Sequence, residues 1–137
     1  MSNIALVDDE QSILTSVSLS LESEGFKVDT FLNGVEALEA LETKSYDLGL
    51  FDIKMPKMDG NELLTKVRSS KIKKLQELPI IFLTSKDQEQ DEIIGLRMGA
   101  ADYITKPFSQ KLLNERIRTV LRIYQNRKTE TNNEDKT

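Results

Sequence analysis

Short apolar runs alternate with amphipathic stretches along most of the chain. Five such runs end at polar or turn-forming residues and are too short for helices, so they predict β-strands near residues 3–8, 26–31, 46–52, 79–84 and 101–105. Between them, apolar residues recur at helical spacing, as in Ile13, Leu14, Val17 and Leu21. The alternation predicts an α/β fold with a five-stranded parallel sheet, doubly wound with five helices.

Several residues mark where the predicted helices begin and end. Gly25 and Gly99 are placed to terminate the first and the fourth helix. Asp59 is expected to cap the third helix, with Glu62 as its reciprocal partner, and Ser109 to cap the fifth. These signals divide the chain into short elements joined by short connections.

Three segments need a separate interpretation. The fourth helix is predicted from about Asp87, with Ile93, Ile94 and Leu96 buried. Residues 69–77 are polar and predict a helix end followed by a loop. Gly49 lies inside the third predicted strand, which suggests either that a neighbouring group approaches the backbone closely there or simply that the strand loses stability.

The last residues have a different composition. No apolar residue occurs in residues 126–137, so this segment cannot offset the entropy of ordering its chain. The sequence therefore predicts a folded domain over residues 1–124 and a disordered tail or linker over residues 125–137.

Composition narrows the possible chemistry. The chain of 137 residues has no cysteine and no histidine, which excludes thiolate and imidazole nucleophiles and ligands. Its formal net charge of −4 does not favour binding of nucleic acid by this domain alone. No signal peptide or membrane span is visible, so a cytoplasmic protein without membrane contact is expected.

Acidic, hydroxyl and basic residues stand at the ends of predicted strands. The carboxyl ends of parallel strands meet at one edge of a sheet, which would bring together Asp8, Asp9, Asp52, Thr84 and Lys106. Each has an ordinary alternative, such as a helix cap, a strand end or a solvated charge. Together they predict a site where repelling carboxylates bind Mg²⁺ and a lysine and a hydroxyl meet a phosphoryl group.

The same residues carry a family resemblance. Asp8-Asp9 after the first strand, Phe-Asp52-Ile-Lys-Met-Pro-Lys-Met-Asp-Gly, Leu-Thr84-Ser and Gly-Ala-Ala-Asp-Tyr-Ile-Thr-Lys106-Pro-Phe resemble the receiver domain of bacterial two-component response regulators, which has a flavodoxin-like fold. The resemblance covers residues 3 to about 124 and is similar to the OmpR/PhoB class, in particular to ChvI-like members. It implies that residues 125–137 begin a linker to a winged-helix DNA-binding domain that is absent from this chain.

The resemblance assigns a role to each site residue. Asp52 would accept a phosphoryl group from a phosphohistidine on a sensor histidine kinase. Asp9, Asp52 and the backbone carbonyl of Lys54 would bind Mg²⁺, and Asp8 would act through water. Lys106 would contact the phosphoryl oxygens.

The resemblance also implies a switch. The peptide bond between Lys106 and Pro107 would be cis. Thr84 would turn its hydroxyl toward the phosphoryl group, and Tyr103 would then turn inward.

Phosphorylation would, by the same resemblance, produce a homodimer. Its face would be the fourth helix, the fifth strand and the fifth helix, with Glu92, Arg97, Asp102, Arg116 and Arg118. Three positions depart from the family pattern. The family usually has an acid at Ala101, a basic residue at Glu92 and an acid at Leu112, whereas the pair Asp102 and Arg116 is retained.

Two other functions are compatible with parts of the sequence. A phosphatase with an aspartyl nucleophile would need a second aspartate two residues after Asp52, where Lys54 stands. A stand-alone receiver that acts through protein contacts, without DNA output, fits the same residues. On the receiver interpretation the domain is not an enzyme for a separate substrate, although it assists its own phosphorylation and dephosphorylation.

Overall fold

The elements follow the predicted alternation closely. The computed structural model describes residues 2–85 and 89–135, with side chains described at all of these except 89–92 and 128–135. The strands are β1 (Asn3–Val7), β2 (Lys27–Phe31), β3 (Leu48–Asp52), β4 (Ile80–Thr84) and β5 (Asp102–Thr105). The helices found there are α1 (Gln11–Ser23), α2 (Gly34–Thr43), α3 (Gly60–Arg68), α4 (Lys73–Gln76), α5 (Glu89–Arg97) and α6 (Gln110–Asp135).

The five strands form one parallel sheet in the order β2-β1-β3-β4-β5. Successive residues of a strand point to opposite faces, so the central strands supply two cores. Leu6 and Leu50 pack with α1 and α6 on one face, whereas Val7 and Phe51 pack with α2 and α3 on the other. The doubly wound parallel sheet predicted from the sequence is confirmed.

Local signals at helix ends also act as predicted. The Asp59 side chain accepts a hydrogen bond from the backbone N–H of Glu62 at 2.8 Å, and the Ser109 hydroxyl accepts one from Leu112 at 3.0 Å. The chain after α5 turns at Gly99 with a φ of 98°, a conformation that favours glycine. These contacts fix where each helix starts and stops, and hence where the connecting loops lie.

Gly49 is required by close packing within β3. A Cβ atom at this position would lie 2.6 Å from the ring of Phe51 and 2.8 Å from Cδ1 of Ile80. The predicted close approach of a neighbour is therefore confirmed.

The prediction that Ile93, Ile94 and Leu96 are buried is wrong. Their exposed fractions are 45%, 46% and 44%. The reason is that Gly95 faces the sheet instead, where a Cβ atom would come within 2.2 Å of the Phe82 ring. With the glycine against β4, its larger neighbours turn outward.

Two further segments differ from the sequence-based prediction. The polar segment after α3 contains the one-turn helix α4, which is anchored by the buried Leu75. Residues 125–135 continue α6 as a helix, where the sequence predicts a disordered tail or linker. Extending a formed helix fixes one residue for each added hydrogen bond, so it is much easier than nucleating a new one.

Asp29 of β2 is held by two donors across the sheet edge. The Tyr46 hydroxyl and the Lys44 ammonium group each donate to Asp29 Oδ2 at 2.6 Å, and Tyr46 itself is buried. The hydrogen bonds from Lys44 and Tyr46 lower the pKa of Asp29, although burial opposes the shift. The ionised carboxylate therefore links β2 to the connection before β3.

We expect Tyr46→Phe to lower the free energy of unfolding by about 1 kcal/mol, because it removes a hydrogen bond to a charged group. A lowered carboxylate pKa contributes stability that is full above its ordinary value near 4 and is lost as the pH falls through the folded-state value. The cost of the substitution should therefore shrink in acid. Urea unfolding as a function of pH measures it. If Tyr46→Phe costs as much in an Asp29→Ala background, the Tyr46–Asp29 bond does not cause the loss.

Candidate functional site

The predicted site residues meet at the carboxyl edge of the sheet. Asp8 directly follows β1, Asp52 ends β3, Thr84 ends β4 and Lys106 directly follows β5. Asp8 and Thr84 are fully buried, and Asp52 is 6% exposed. Residues distant in sequence thus form one acidic crevice because parallel strands end on the same side.

Lys106 is the cation at the centre of this crevice. Its Nζ lies 2.7 Å from Oδ2 of Asp8, 3.5 Å from Oδ1 of Asp52 and 3.9 Å from Oε1 of Glu10. Its backbone N–H donates to the carbonyl of Thr84 at 2.6 Å. Glu10 received no role from the sequence, although the acidic run Asp8-Asp9-Glu10 indicated that it would lie nearby.

The loop after Lys106 has the backbone that the resemblance implied. The peptide bond between Lys106 and Pro107 is cis. It joins β5 to α6 immediately beside the crevice.

Asp52 has an unusual acidity. Burial raises its pKa to about 7, the charges of Asp8 and Asp9 act in the same direction, and the Lys106 charge opposes them. A carboxylate in this position binds a proton readily unless positive charge is added. Added positive charge in the crevice would therefore lower the pKa of Asp52.

Burial alone would lower the pKa of Lys106. The hydrogen bond to Asp8 and the charges of Asp52, Asp8 and Glu10 outweigh that effect, so the pKa of Lys106 is raised. The lysine therefore stays protonated and keeps its charge in the crevice.

Three acidic residues can offer oxygen ligands to a metal. One carboxylate oxygen each from Asp8, Asp9 and Glu10 lie within 4.8 Å of one another, and Asp9 and Glu10 are exposed. Hard oxygen donors that leave room for water suit Mg²⁺. The residues present therefore fit this ion.

The loop between β3 and α3 carries Lys54, whose carbonyl was predicted to bind the metal. Gly60 closes this loop by donating its N–H to the carbonyl of Ile53 at 2.7 Å. Within it, the N–H of Met58 donates to the carbonyl of Pro56 at 2.8 Å, and Lys57 between them has a φ of 69°. The backbone that follows Asp52 is thus held in a tight, hydrogen-bonded path.

The two predicted switch residues lie on neighbouring strands. The Thr84 hydroxyl donates to the carbonyl of Ser85 at 2.9 Å. Tyr103 pairs with Phe82 in the sheet and is 36% exposed, so its ring faces outward. The inward turn of Tyr103 stays a prediction.

The residues predicted for a dimer face do not all lie together. Arg116 pairs with Asp102 of the same chain at 2.8 Å, and Arg97 is exposed at the end of α5. Arg118 instead pairs with Glu24 at 2.8 Å, on the side of α1. The side chain of Glu92 lies outside the described residues.

Arg118 is held in that position by a second contact. Its guanidinium carbon lies 5.3 Å from the centre of the Phe26 ring. The structure therefore separates it from the α5-β5-α6 surface to which the sequence assigned it.

The α5-β5-α6 surface is rich in exposed apolar side chains. α5 and α6 are the fourth and fifth predicted helices, because α4 lies between the third and fourth. The exposed large side chains on this surface are Ile93, Ile94, Leu96, Tyr103 and Leu112.

In the part of the chain that the structure describes, no helix combines the length and the apolar character needed to cross a membrane.

Comparison with known proteins gives concordant results. The family model described as "Response regulator receiver domain" matches residues 4–118. The alkaline phosphatase synthesis transcriptional regulatory protein PhoP of Bacillus subtilis is 44% identical over 119 residues, 87% of this chain and 48% of that protein. The transcriptional regulatory protein CpxR homolog of Haemophilus influenzae is 41% identical over 122 residues, 89% of this chain and 51% of that protein. The chain thus spans about half the length of these relatives.

Solved structures show the same fold. A CheY-like response regulator receiver domain protein from Methanospirillum hungatei superposes with a TM-score of 0.85 at 33% identity, covering 93% of this chain and 98% of that one. Chemotaxis protein CheY4 of Vibrio cholerae gives a TM-score of 0.81 at 31% identity, covering 88% and 98%.

We expect Asp52→Asn to stabilise the metal-free domain at about pH 8 by about 1–3 kcal/mol, because it removes a buried charge beside two carboxylates. The folded-state pKa of Asp52 is about 7, above the ordinary value of 3.8, so the folded chain binds more protons between these values. Wild-type stability should therefore fall as the pH rises through this range, and the advantage of the variant should vanish near pH 4.

Urea unfolding in the presence of a metal chelator, measured across this pH range, tests the prediction. Glu39→Gln, which changes an exposed carboxylate on α2, is the matched control and should show no such pH dependence. An Asp52→Asn variant no more stable than wild type at about pH 8 would contradict the electrostatic account.

Proposed function

The chain belongs to the response regulator receiver family, and we propose that it accepts a phosphoryl group on Asp52 from a sensor histidine kinase and then dimerises. The observation that carries the proposal is the placement of Asp52 among Asp8, Asp9 and Lys106, with Lys106 Nζ 3.5 Å from its carboxylate. Response regulators take phosphoryl groups from such kinases. The location proposed is the cytoplasm.

In the proposed reaction, a carboxylate oxygen of Asp52 attacks the phosphorus of a phosphohistidine. A P–O bond forms to give an acyl phosphate, the P–N bond breaks, and the imidazole leaves on the kinase. The nucleophile must be ionised, yet burial raises the pKa of Asp52 to about 7. Positive charge in the crevice is therefore needed to keep Asp52 reactive at neutral pH.

Lys106 supplies part of that charge. A phosphoryl group adds about −1.5 to −2 charges to a site that is already acidic. The Lys106 ammonium group, which now pairs with Asp8 and lies 3.5 Å from Asp52, is near enough to contact the new oxygens. The domain in this way assists its own phosphorylation and is not an enzyme for a separate substrate.

Mg²⁺ would be held by Asp9, Asp52 and the carbonyl of Lys54, with Asp8 acting through water. Bound there, the ion would neutralise charge on the transferring phosphoryl oxygens. The clustering of acidic oxygens at Asp8-Asp9-Glu10 supports the part of this set that Asp8 and Asp9 provide.

Thr84 and Tyr103 would pass the change to the α5-β5-α6 surface. The Thr84 hydroxyl donates to the carbonyl of Ser85 and would turn toward the phosphoryl group. That movement would vacate space for the outward-facing Tyr103 ring. The apolar side chains exposed on α5 and α6 support a protein contact at this surface.

The relatives named as transcriptional regulatory proteins support a role in transcription. They are consistent with the OmpR/PhoB class, and ChvI-like specificity remains an expectation. DNA binding would belong to a further domain of a longer protein. A stand-alone receiver that acts through protein contacts is the alternative, and the same exposed apolar surface would serve it.

Incubation with Mg²⁺ and a small phosphodonor should add one phosphoryl mass to the chain. Asp52→Asn should abolish the addition, because the amide is not a nucleophile. Asp59→Asn is the matched control: it changes another aspartate of the same loop to a residue that also caps helices, and it should leave the addition intact. Intact-protein mass spectrometry reads both, and phosphorylated Asp52→Asn would refute the assignment.

Activation should convert the domain from a monomer to a two-fold dimer through the α5-β5-α6 surface. Mixed charges on a two-fold surface let each acid meet a base of the partner, although exposed pairs contribute only about 0–1 kcal/mol each. Arg116→Glu should therefore weaken the dimer, because it removes the base that pairs with Asp102 and puts a second acid in its place.

Light scattering with beryllofluoride, a phosphoryl mimic, tests this prediction. Arg118→Gln is the matched control, because Arg118 lies on the side of α1 and its loss should leave the dimer intact. A monomeric activated domain, or equal weakening by both substitutions, would exclude this surface as the dimer contact.

A further inference from the structure

Arg68 ties three separate segments of the domain together through one guanidinium group. Nη1 donates to the carbonyls of Gln76 at 3.1 Å and Leu78 at 2.7 Å, and Nη2 donates to the carbonyl of Gly99 at 2.8 Å. Gln76 ends α4, Leu78 precedes β4 and Gly99 follows α5. Arg68 itself ends α3, so this side chain links α3 to the carboxyl end of α5.

Few of the described side chains of α5, at residues 93–97, face the sheet. Among residues 93–97, whose side chains are described, Gly95 alone is buried, and it contacts β4 through the Phe82 ring. Ile93, Ile94 and Leu96 turn outward. Little apolar area therefore fixes the middle of this helix on the sheet.

The Arg68 contacts lie at the edge of the sheet opposite the phosphorylation site. β4 runs from Ile80 beside Leu78 to Thr84 at the acidic crevice, and α5 returns the chain to Gly99. Backbone contacts continue at this end, where the N–H of Ala101 donates to the carbonyl of Ile80 at 2.8 Å. The helix is thus anchored at its carboxyl end, far from the point where phosphorylation would act.

We propose that Arg68 is a positioning residue that serves as the fixed pivot of α5. This inference rests on the proposed switching function. A helix that shifts at one end presents an ordered surface to a partner only if its other end is held. Without the three hydrogen bonds, dimerisation would have to order α5 itself, and that entropy cost would weaken the dimer.

The merely structural alternative is that Arg68 satisfies three carbonyls and stabilises the whole domain. Burial lowers the pKa of Arg68, in agreement with a guanidinium held away from water. If Arg68 stabilises the whole domain, its loss should increase unfolding of every element to the same extent. If Arg68 is the pivot, its loss should increase local unfolding of α5 more than that of the other elements. Local and global opening can be separated by amide hydrogen exchange.

The experiment compares Arg68→Met with Lys66→Met, which removes an exposed charge from the same helix. Exchange of α5 amides should rise about tenfold in Arg68→Met while amides of β1 and β3 change little. The beryllofluoride-activated dimer should dissociate at about fivefold higher concentration. Uptake of phosphoryl mass should stay within about twofold, because Arg68 is remote from Asp52. Lys66→Met should match wild type in all three measurements.

Arg68→Lys provides a second variant if the methionine variant folds poorly. It keeps the charge but cannot present the planar fork that reaches both Leu78 and Gly99, so its α5 exchange should be intermediate. Equal increases in all elements, unchanged α5 exchange or an unchanged dimer would overturn the pivot. If the wild type takes up no phosphoryl group, the proposed function fails. The hydrogen-exchange result still tests the anchoring role of Arg68 in that case.

Discussion

Electrostatic repulsion at the carboxyl edge of the sheet is the constraint on which the site depends. Buried carboxylates of Asp8 and Asp52 cannot both be ionised without compensation, because removal from water strengthens their repulsion. Lys106 compensates part of this charge by pairing with Asp8 at 2.7 Å. Under the proposed function, the remaining negative charge would favour binding of a cation and would make the site sensitive to the charge of a phosphoryl group.

The parallel sheet brings these charged residues together at one edge. Strands β1, β3, β4 and β5 all end at the same edge, and the middle residues of β1, β3 and β4 are buried in the two cores. Polar residues placed one position beyond these apolar runs must then share a crevice. The same strands connect the crevice to the rest of the domain, since Thr84 and Phe82 belong to one strand, and Phe82 supports α5 through Gly95.

These relations explain which features the sequence could predict. The strand ends could be predicted because a polar residue stands at the end of each apolar run. The same pattern predicted both the fold and the meeting of Asp8, Asp52, Thr84 and Lys106. The burial of Ile93 was mispredicted because helical periodicity does not show that a glycine provides the contact with the sheet. The position of Arg118 was missed for a related reason, since its partner Glu24 is distant in sequence.

The contacts of α5 bear on how the proposed switch could move this helix without detaching it. A side chain buried in the core would hold it by apolar area that must be exposed again when the helix moves. Gly95 instead gives a flat contact on Phe82 without a side chain to withdraw, and Arg68 holds the far end through a backbone carbonyl. In the proposed switch, a helix held in this way would change its angle while both contacts persist. Under the proposed switch, the outward Ile93, Ile94 and Leu96 would move with the helix, and the apolar surface offered to a partner would then depend on the charge in the crevice.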